Sequence, residues 1–217
     1  MTAQEVLPAL GHYYESETIA PTCTEQGYSI HTCSTCNDIY YDSYVPALGH
    51  TWGDWVSNND ATLNADGTKT RTCSVCESTE TVTEPRNGWY QFGTNYWYYF
   101  VNGVMQTGWK NLQHNSQNYA WYYFDPSNGR MVTGWKQINN NWYYFDSNGT
   151  RQTGWKQING NWYYFDSNGV RQTGWKYING NWYYFNSNGV RQTGWVQDNG
   201  KWYYLNSSGI MQTGWVK

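Results

Sequence analysis

From residue 88 onward the chain runs in short bursts of alternating aromatic and polar positions, punctuated by Asn, Ser and Gly. The stretch from Gly154 to Gly174, GWKQINGNWYYFDSNGVRQTG, shows the pattern most plainly and returns almost unchanged from Gly174 to Gly194. Asn159-Gly160 between two such bursts is a strong signal for a two-residue type I′ turn, which needs positive φ at both positions. That turn sets the register: Ile158 opposite Asn161, Gln157 opposite Trp162, Lys156 opposite Tyr163 and Trp155 opposite Tyr164. Side chains alternate along a strand, so Trp155, Trp162 and Tyr164 share one face, while Ile158, Tyr163 and Phe165 share the other. The second face reads as core, because Leu205 replaces Phe at the position equivalent to Phe165. Asp166-Ser167-Asn168-Gly169 is turn chemistry and lacks the ligand count of a calcium loop.

The Gly-Trp tryptophan falls at 89, 109, 135, 155, 175, 195 and 215, a step of 20 residues throughout except for 26 between Trp109 and Trp135. Self-similarity at this period marks a repeat architecture. A lone two-stranded hairpin is marginal, so the prediction is a solenoid of stacked β-hairpins stabilised mainly between neighbours.

A second, looser repeat precedes it. Val6-Leu7-Pro8-Ala9-Leu10-Gly11-His12 returns as Tyr44-Val45-Pro46-Ala47-Leu48-Gly49-His50, and each copy leads through a Gly (Gly27, Gly67) to a Cys-x-x-Cys, Cys33/Cys36 and Cys73/Cys76. Thr68 to Cys73 alternates Thr with charge, and Tyr28 to Thr32 is similar, so both read as short strands entering a knuckle turn. The expected class is all-β, with units at 1–43 and 44–86 and the hairpin array at 87–217. Pro85-Arg86-Asn87 marks the boundary before the array.

Composition narrows the function. Of 217 residues, 15 are Trp and 22 Tyr, yet only 13% are charged and the net charge is −3. Without a basic footprint, nucleic acid is not an expected partner despite the many rings. No apolar run is long enough for a membrane span. The first residues, Met1 to Glu5, lack the regions of a signal peptide, and the surface character of the repeats makes the chain read as a fragment of a secreted protein.

Five cysteines are an odd number, which leaves metal or free thiol open beside disulfide. Units this small need a staple. The first offers Cys23, Cys33 and Cys36 with His12 or His50, a set that suits tetrahedral zinc; the second offers Cys73, Cys76 and His50 and is one ligand short, Leu63 standing where Cys23 stands in the first. A disulfide within either Cys-x-x-Cys, and inert thiols, are the competing readings. A thioredoxin-like role is disfavoured, because neither motif opens a helix in a βαβ pattern. This segment resembles Cys-rich repeats of Gram-positive surface proteins.

The Trp-Trp-Tyr face is where a ligand would sit. Converging rings without a nearby carboxylate suit a quaternary ammonium group, bound by cation–π and methyl contacts. The pattern Gly-Trp…Trp-Tyr-Tyr-Phe…Asn-Gly…Thr-Gly-Trp at this step resembles the choline-binding, cell-wall-binding repeat of Gram-positive surface proteins, autolysins and phage lysins. The resemblance implies a non-catalytic module that holds choline of teichoic acid between neighbouring hairpins. It further implies cages built of Trp89, Trp97 and Tyr123; Trp109, Trp121 and Tyr144; Trp135, Trp142 and Tyr164; Trp155, Trp162 and Tyr184; and Trp175, Trp182 and Tyr204. The second Tyr of each burst is chosen by alternation, with the first as fallback. Trp195 and Trp202 lack a following hairpin. Met105, Met131 and Met211 keep the family's methionine, whereas Arg151, Arg171 and Arg191 replace it in the most regular units, where a guanidinium would repel a cation or fill the cage itself. The insertion from His114 to Tyr119 puts the second cage in question. Two rivals stand beside this reading: a glucan-binding array, since rings also stack sugars, and a spacer displaying the Cys-rich units. No Ser/His/Asp or paired-carboxylate constellation is discernible, so no enzyme is expected.

Overall fold

A computed structural model describes residues 11–114 and 117–214 of the chain. It divides into two compact units, Met1–Pro85 and Arg86–Lys217. All regular structure among the described residues is β, and no helix is long and apolar enough to cross a membrane.

The first unit holds two antiparallel three-stranded sheets, one per Cys-bearing repeat. β1 (Tyr14–Ile19), β2 (Gly27–Cys33) and β3 (Ile39–Val45) form the first; β4 (Val56–Ser57), β5 (Gly67–Thr72) and β6 (Thr79–Glu84) form the second. Apolar burial in this unit is slight. Ile39, Tyr41, Tyr44, Leu48 and Val56 are all exposed, and the buried hydrophobic residues described here are Cys23, Cys33 and Cys73. Gly27 opens β2 because a Cβ there would fall 2.6 Å from the Pro21 ring.

The second unit is the array. β7 (Gly88–Phe92), β8 (Tyr96–Val101) and β9 (Val104–Met105) form its first sheet. Five separate two-stranded hairpins follow: β10 (Gly108–Gln113) with β11 (Tyr119–Phe124), β12 (Gly134–Ile138) with β13 (Asn141–Phe145), β14 (Gly154–Ile158) with β15 (Asn161–Phe165), β16 (Gly174–Ile178) with β17 (Asn181–Phe185), and β18 (Gly194–Asp198) with β19 (Lys201–Leu205). The register in β14–β15 is the expected one, Trp155 opposite Tyr164 and Ile158 opposite Asn161. Asn159 and Gly160 have φ of 48° and 80°, as a type I′ turn demands. In β10–β11 the longer loop leaves the pairing of Trp109 with Tyr123 intact, because the extra residues sit at the far end of the hairpin.

Consecutive hairpins stack front to back rather than merging into one sheet. Trp135 meets Tyr163 and Phe165 of the next hairpin at ring distances of 4.9 and 5.7 Å. Phe100, Phe124, Phe145, Phe165, Phe185 and Leu205 are each essentially fully buried and form the spine of the array. The segment after each hairpin tucks back onto the hairpin before that one: Arg171, which follows β15, donates its backbone N–H to the Trp142 carbonyl in β13 at 2.8 Å. The loop before it is fixed by Asp166, whose Oδ1 accepts from the backbone N–H of Asn168 and Val170 at 2.9 Å each. Asn186 and Asn206 do the same in their units with a neutral side chain, which identifies the position as a turn-former.

Candidate functional site

Four interhairpin junctions carry two tryptophans from one hairpin at nearly right angles. Trp89–Trp97, Trp109–Trp121, Trp135–Trp142 and Trp155–Trp162 lie 6.3–6.5 Å apart with planes inclined by 78–81°. The third ring comes from the next hairpin and is the first tyrosine of its Tyr-Tyr pair. Tyr122, Tyr143, Tyr163, Tyr183 and Tyr203 stand 4.8–4.9 Å from Trp89, Trp109, Trp135, Trp155 and Trp175.

The expected third members, Tyr123, Tyr144, Tyr164, Tyr184 and Tyr204, lie elsewhere. Each packs across its own hairpin against its Gly-Trp tryptophan, as Tyr144 does against Trp135 at 5.1 Å. The reason is the direction of stacking. Because the front of one hairpin meets the back of the next, the ring that reaches the tryptophans must come from the Tyr163/Phe165 face. Alternation assigned the faces; the partner of each face is a tertiary relation that alternation does not contain. The tryptophans themselves sit together as expected at four junctions, the one bordering the insertion included. At the fifth, Trp182 turns toward Tyr177 at 5.3 Å, and Trp175 donates its Nε1–H to Asp198 at 3.2 Å.

The fourth wall distinguishes the junctions. At Trp89–Trp97–Tyr122 it is Met131, beside a cavity of about 400 Å³ that Gln113 and His114 also line. At the fifth junction Met211 donates its backbone N–H to Trp182 in the same way. At the three junctions between them an arginine enters. Arg151 lies over Trp109 and Trp121, Arg171 over Trp135 and Trp142, and Arg191 over Trp155 and Trp162, each guanidinium carbon 5.6–5.9 Å from both ring centroids. The stem of Arg171 runs against Gly189, where a Cβ would fall 2.5 Å from its Cδ, and the head donates to the Ser187 carbonyl at 3.2 Å. Burial pulls all three arginines below the ordinary guanidinium pKa, and the Nε of each is buried without a hydrogen-bond partner.

In the first unit, Cys23 is not grouped with Cys33 and Cys36 as the ligand count within one repeat suggested. It lies with His50, Cys73 and Cys76 of the second repeat, while His12, Cys33 and Cys36 form a separate cluster. The physical cause is docking between repeats: Leu48 and Gly49 donate backbone N–H groups to the carbonyls of Thr22 and Cys23 at 2.9 and 3.0 Å. The signal was present in the sequence as arithmetic, one repeat having a cysteine too many and the other a ligand too few.

The family description "Choline-binding repeat" matches residues 132–169, 152–189, 172–206 and 192–217. Residues 132–217 thus match choline-binding repeats. Among solved structures, choline binding protein F from Streptococcus pneumoniae is 27% identical, with a TM-score of 0.57 over 88% of this chain and 85% of that one. CbpJ from the same species is 25% identical, with a TM-score of 0.56 over 95% of this chain and 82% of that one. CbpF has also been solved in complex with ipratropium and in the presence of a peptidoglycan analogue, at 26% identity to this chain in each case. A search of curated proteins returns no match. The matched repeats are those that follow the 26-residue step, and the hairpins before them extend the same stacked architecture toward residue 86.

Proposed function

We propose that residues 87–217 are a non-catalytic binding array that holds choline groups of cell-wall teichoic acid and so keeps a secreted protein at the bacterial surface. The observation that carries this reading is the junction of Trp89, Trp97 and Tyr122. It combines perpendicular indole faces, a third ring from the next hairpin, the thioether of Met131 and an open cavity. A trimethylammonium group makes no hydrogen bonds, so its recognition rests on ring quadrupoles and methyl contacts, each worth about 0.5–2 kcal/mol. Two or three such contacts, less the cost of ordering, give affinity on the order of millimolar. Several junctions meeting one polymer raise this by avidity.

The methionine-walled junction is the binding-competent one in this reading, and the three arginine-filled junctions are self-occupied. The arginines also support a carbohydrate reading, since a guanidinium beside an exposed indole supplies both a stacking plane and donors. One titration separates the two. Choline and then isomaltose or dextran are added to the array while tryptophan fluorescence is followed. Saturation by millimolar choline with no response to glucan supports choline recognition. Saturation by glucan alone replaces it with a carbohydrate array, and silence to both leaves a spacer.

A further inference from the structure

We infer that Cys23, His50, Cys73 and Cys76 form a structural zinc site that bolts one Cys-rich repeat to the next. Four donor atoms, three sulfurs and one nitrogen, lie within 4.8 Å of one another. Tetrahedral zinc with Zn–S of 2.3 Å and Zn–N of about 2.0–2.1 Å sets ligand-to-ligand edges of ~3.8 Å between sulfurs and ~3.6 Å between sulfur and nitrogen. The Cys23 and Cys73 sulfurs are 4.0 Å apart, and His50 Nδ1 is 3.3 Å from the Cys76 sulfur. The polypeptide therefore already has nearly the spacing that the ion requires.

Three backbone arrangements bring these donors together. The Thr22–Cys23 loop accepts hydrogen bonds from Leu48 and Gly49, which places Cys23 next to His50. Ser74 donates to the Thr51 carbonyl at 2.9 Å and Trp52 bridges to Cys73, which places the Cys-x-x-Cys next to the same histidine. The Cys-x-x-Cys itself is a tight turn in which Glu77 N–H bonds the Cys73 carbonyl at 3.0 Å and Glu77 takes a φ of 61°. Such a turn aims backbone N–H groups at the first sulfur. Here the backbone N–H groups of Cys76 and Val75 are directed at Cys73.

Burial supplies an independent reason. Cys23 and Cys73 are among the few buried side chains of a unit whose aliphatic and aromatic residues are largely exposed. A unit with so little apolar core needs a covalent or metal staple. A disulfide would join two of the three sulfurs and leave the third sulfur and His50 unused, whereas zinc uses all four donors. The first repeat repeats the lower half of the arrangement. His12 Nδ1 lies 3.1 Å from the Cys36 sulfur, Ser34 donates to the Tyr13 carbonyl at 3.0 Å, and Asn37 takes a φ of 61°. That cluster has three donors among the described residues, so the complete set is the one that Cys23 closes.

The test uses the full chain purified with reductant and without chelator. Elemental analysis of the Cys33→Ser/Cys36→Ser variant, which removes the three-donor cluster, isolates the complete site and is expected to give one zinc per chain. Adding Cys23→Ser is expected to abolish stoichiometric retention. Cobalt substitution of the unaltered chain gives a second readout that does not depend on the folding of that variant. Three thiolates and one imidazole produce intense tetrahedral ligand-field bands with sulfur-to-metal charge transfer, and chelator restores reactivity to three further thiols. No retained metal, whether the thiols are freely reactive or the unreduced protein carries the mass deficit of a disulfide, overturns the site. Retention of zinc with an unchanged cobalt spectrum in the Cys23→Ser variant overturns the place of Cys23 in it.

Discussion

The guanidinium of Arg171 lies 5.7 Å from the centre of the Trp142 indole, within the space that a ligand cation would need between Trp135 and Trp142. The chain thus places its own cation against both indoles of this junction. The arrangement is held from both ends, by Gly189 against the arginine stem and by the Ser187 carbonyl on its head. Its weak point is Nε, buried without a partner.

Replacing that arginine should therefore open the site. Arg171→Met leaves the backbone bond to Trp142 intact and exchanges the guanidinium for a thioether. One additional choline should bind per chain, with an affinity within roughly tenfold of the Met131 junction, a difference of about 1.4 kcal/mol. Equilibrium dialysis of the single variant, and of the triple Arg151→Met/Arg171→Met/Arg191→Met variant, counts the sites. Unchanged stoichiometry in both would show that the arginines are not what occludes these junctions.

The first junction should be the most sensitive to loss of a ring. Trp97 is about two-fifths exposed, so Trp97→Leu removes an indole face at small cost to packing. Choline affinity there should fall about tenfold or more, the loss of one cation–π contact of about 1–2 kcal/mol. Trp202→Leu serves as the control, because no described hairpin follows it and both Trp195 and Trp202 are widely exposed. Equal losses in the two variants would contradict the assignment of the site to junctions between hairpins.

Asn140 occupies with φ 65° the turn position held by glycine in the next three hairpins. Asn140→Gly should stabilise β12–β13 by about 0.5 kcal/mol, since glycine adopts the left-handed region with least strain. Urea denaturation followed by tryptophan fluorescence would register a small rise in midpoint. A fall would mean that the Asn140 side chain has a role that the turn geometry does not reveal.

Asp125 receives the Lys136 ammonium at 2.7 Å and hydrogen bonds from Ser127. Lys136, then Ser127, hold its carboxyl well below the usual aspartate range. A depressed carboxylate pKa adds stability that is fully present above the unfolded value of about 3.9 and is lost as pH falls through the folded value. Asp125→Asn should cost about 1 kcal/mol near neutrality, a figure reduced for the partial exposure of the pair. The difference from the unaltered chain should shrink steadily below about pH 4. A pH-independent difference in denaturation midpoints would assign the effect to the turn rather than to charge.

How much of this was legible beforehand depends on the range of the interaction. The register of Trp155 with Tyr164 followed from Asn159-Gly160 alone, because a two-residue turn leaves one pairing open. The burial of Phe165 followed from alternation and from Leu205 at the equivalent place. What alternation lacked was the direction in which hairpins stack, so Tyr164 was chosen where Tyr163 stands. Cys23 differs for the same reason: the ligand count within one repeat groups it with Cys33 and Cys36, whereas backbone bonds from Leu48 and Gly49 carry it to the neighbouring repeat. The arginines at 151, 171 and 191 were visible as departures from methionine, and the structure adds that their heads rest on both tryptophans at once.

The separateness of the hairpins has a mechanical meaning. Each is its own two-stranded sheet, tied to its predecessor by ring packing and by backbone bonds such as that from Arg171 to Trp142. If the array acts as the proposed surface anchor, it carries tension along its length. Under load such an array yields one hairpin at a time, and each step of 20 residues releases about 70 Å of slack. A ligand seated at one junction would stiffen that link alone, and would so decide where the array gives way.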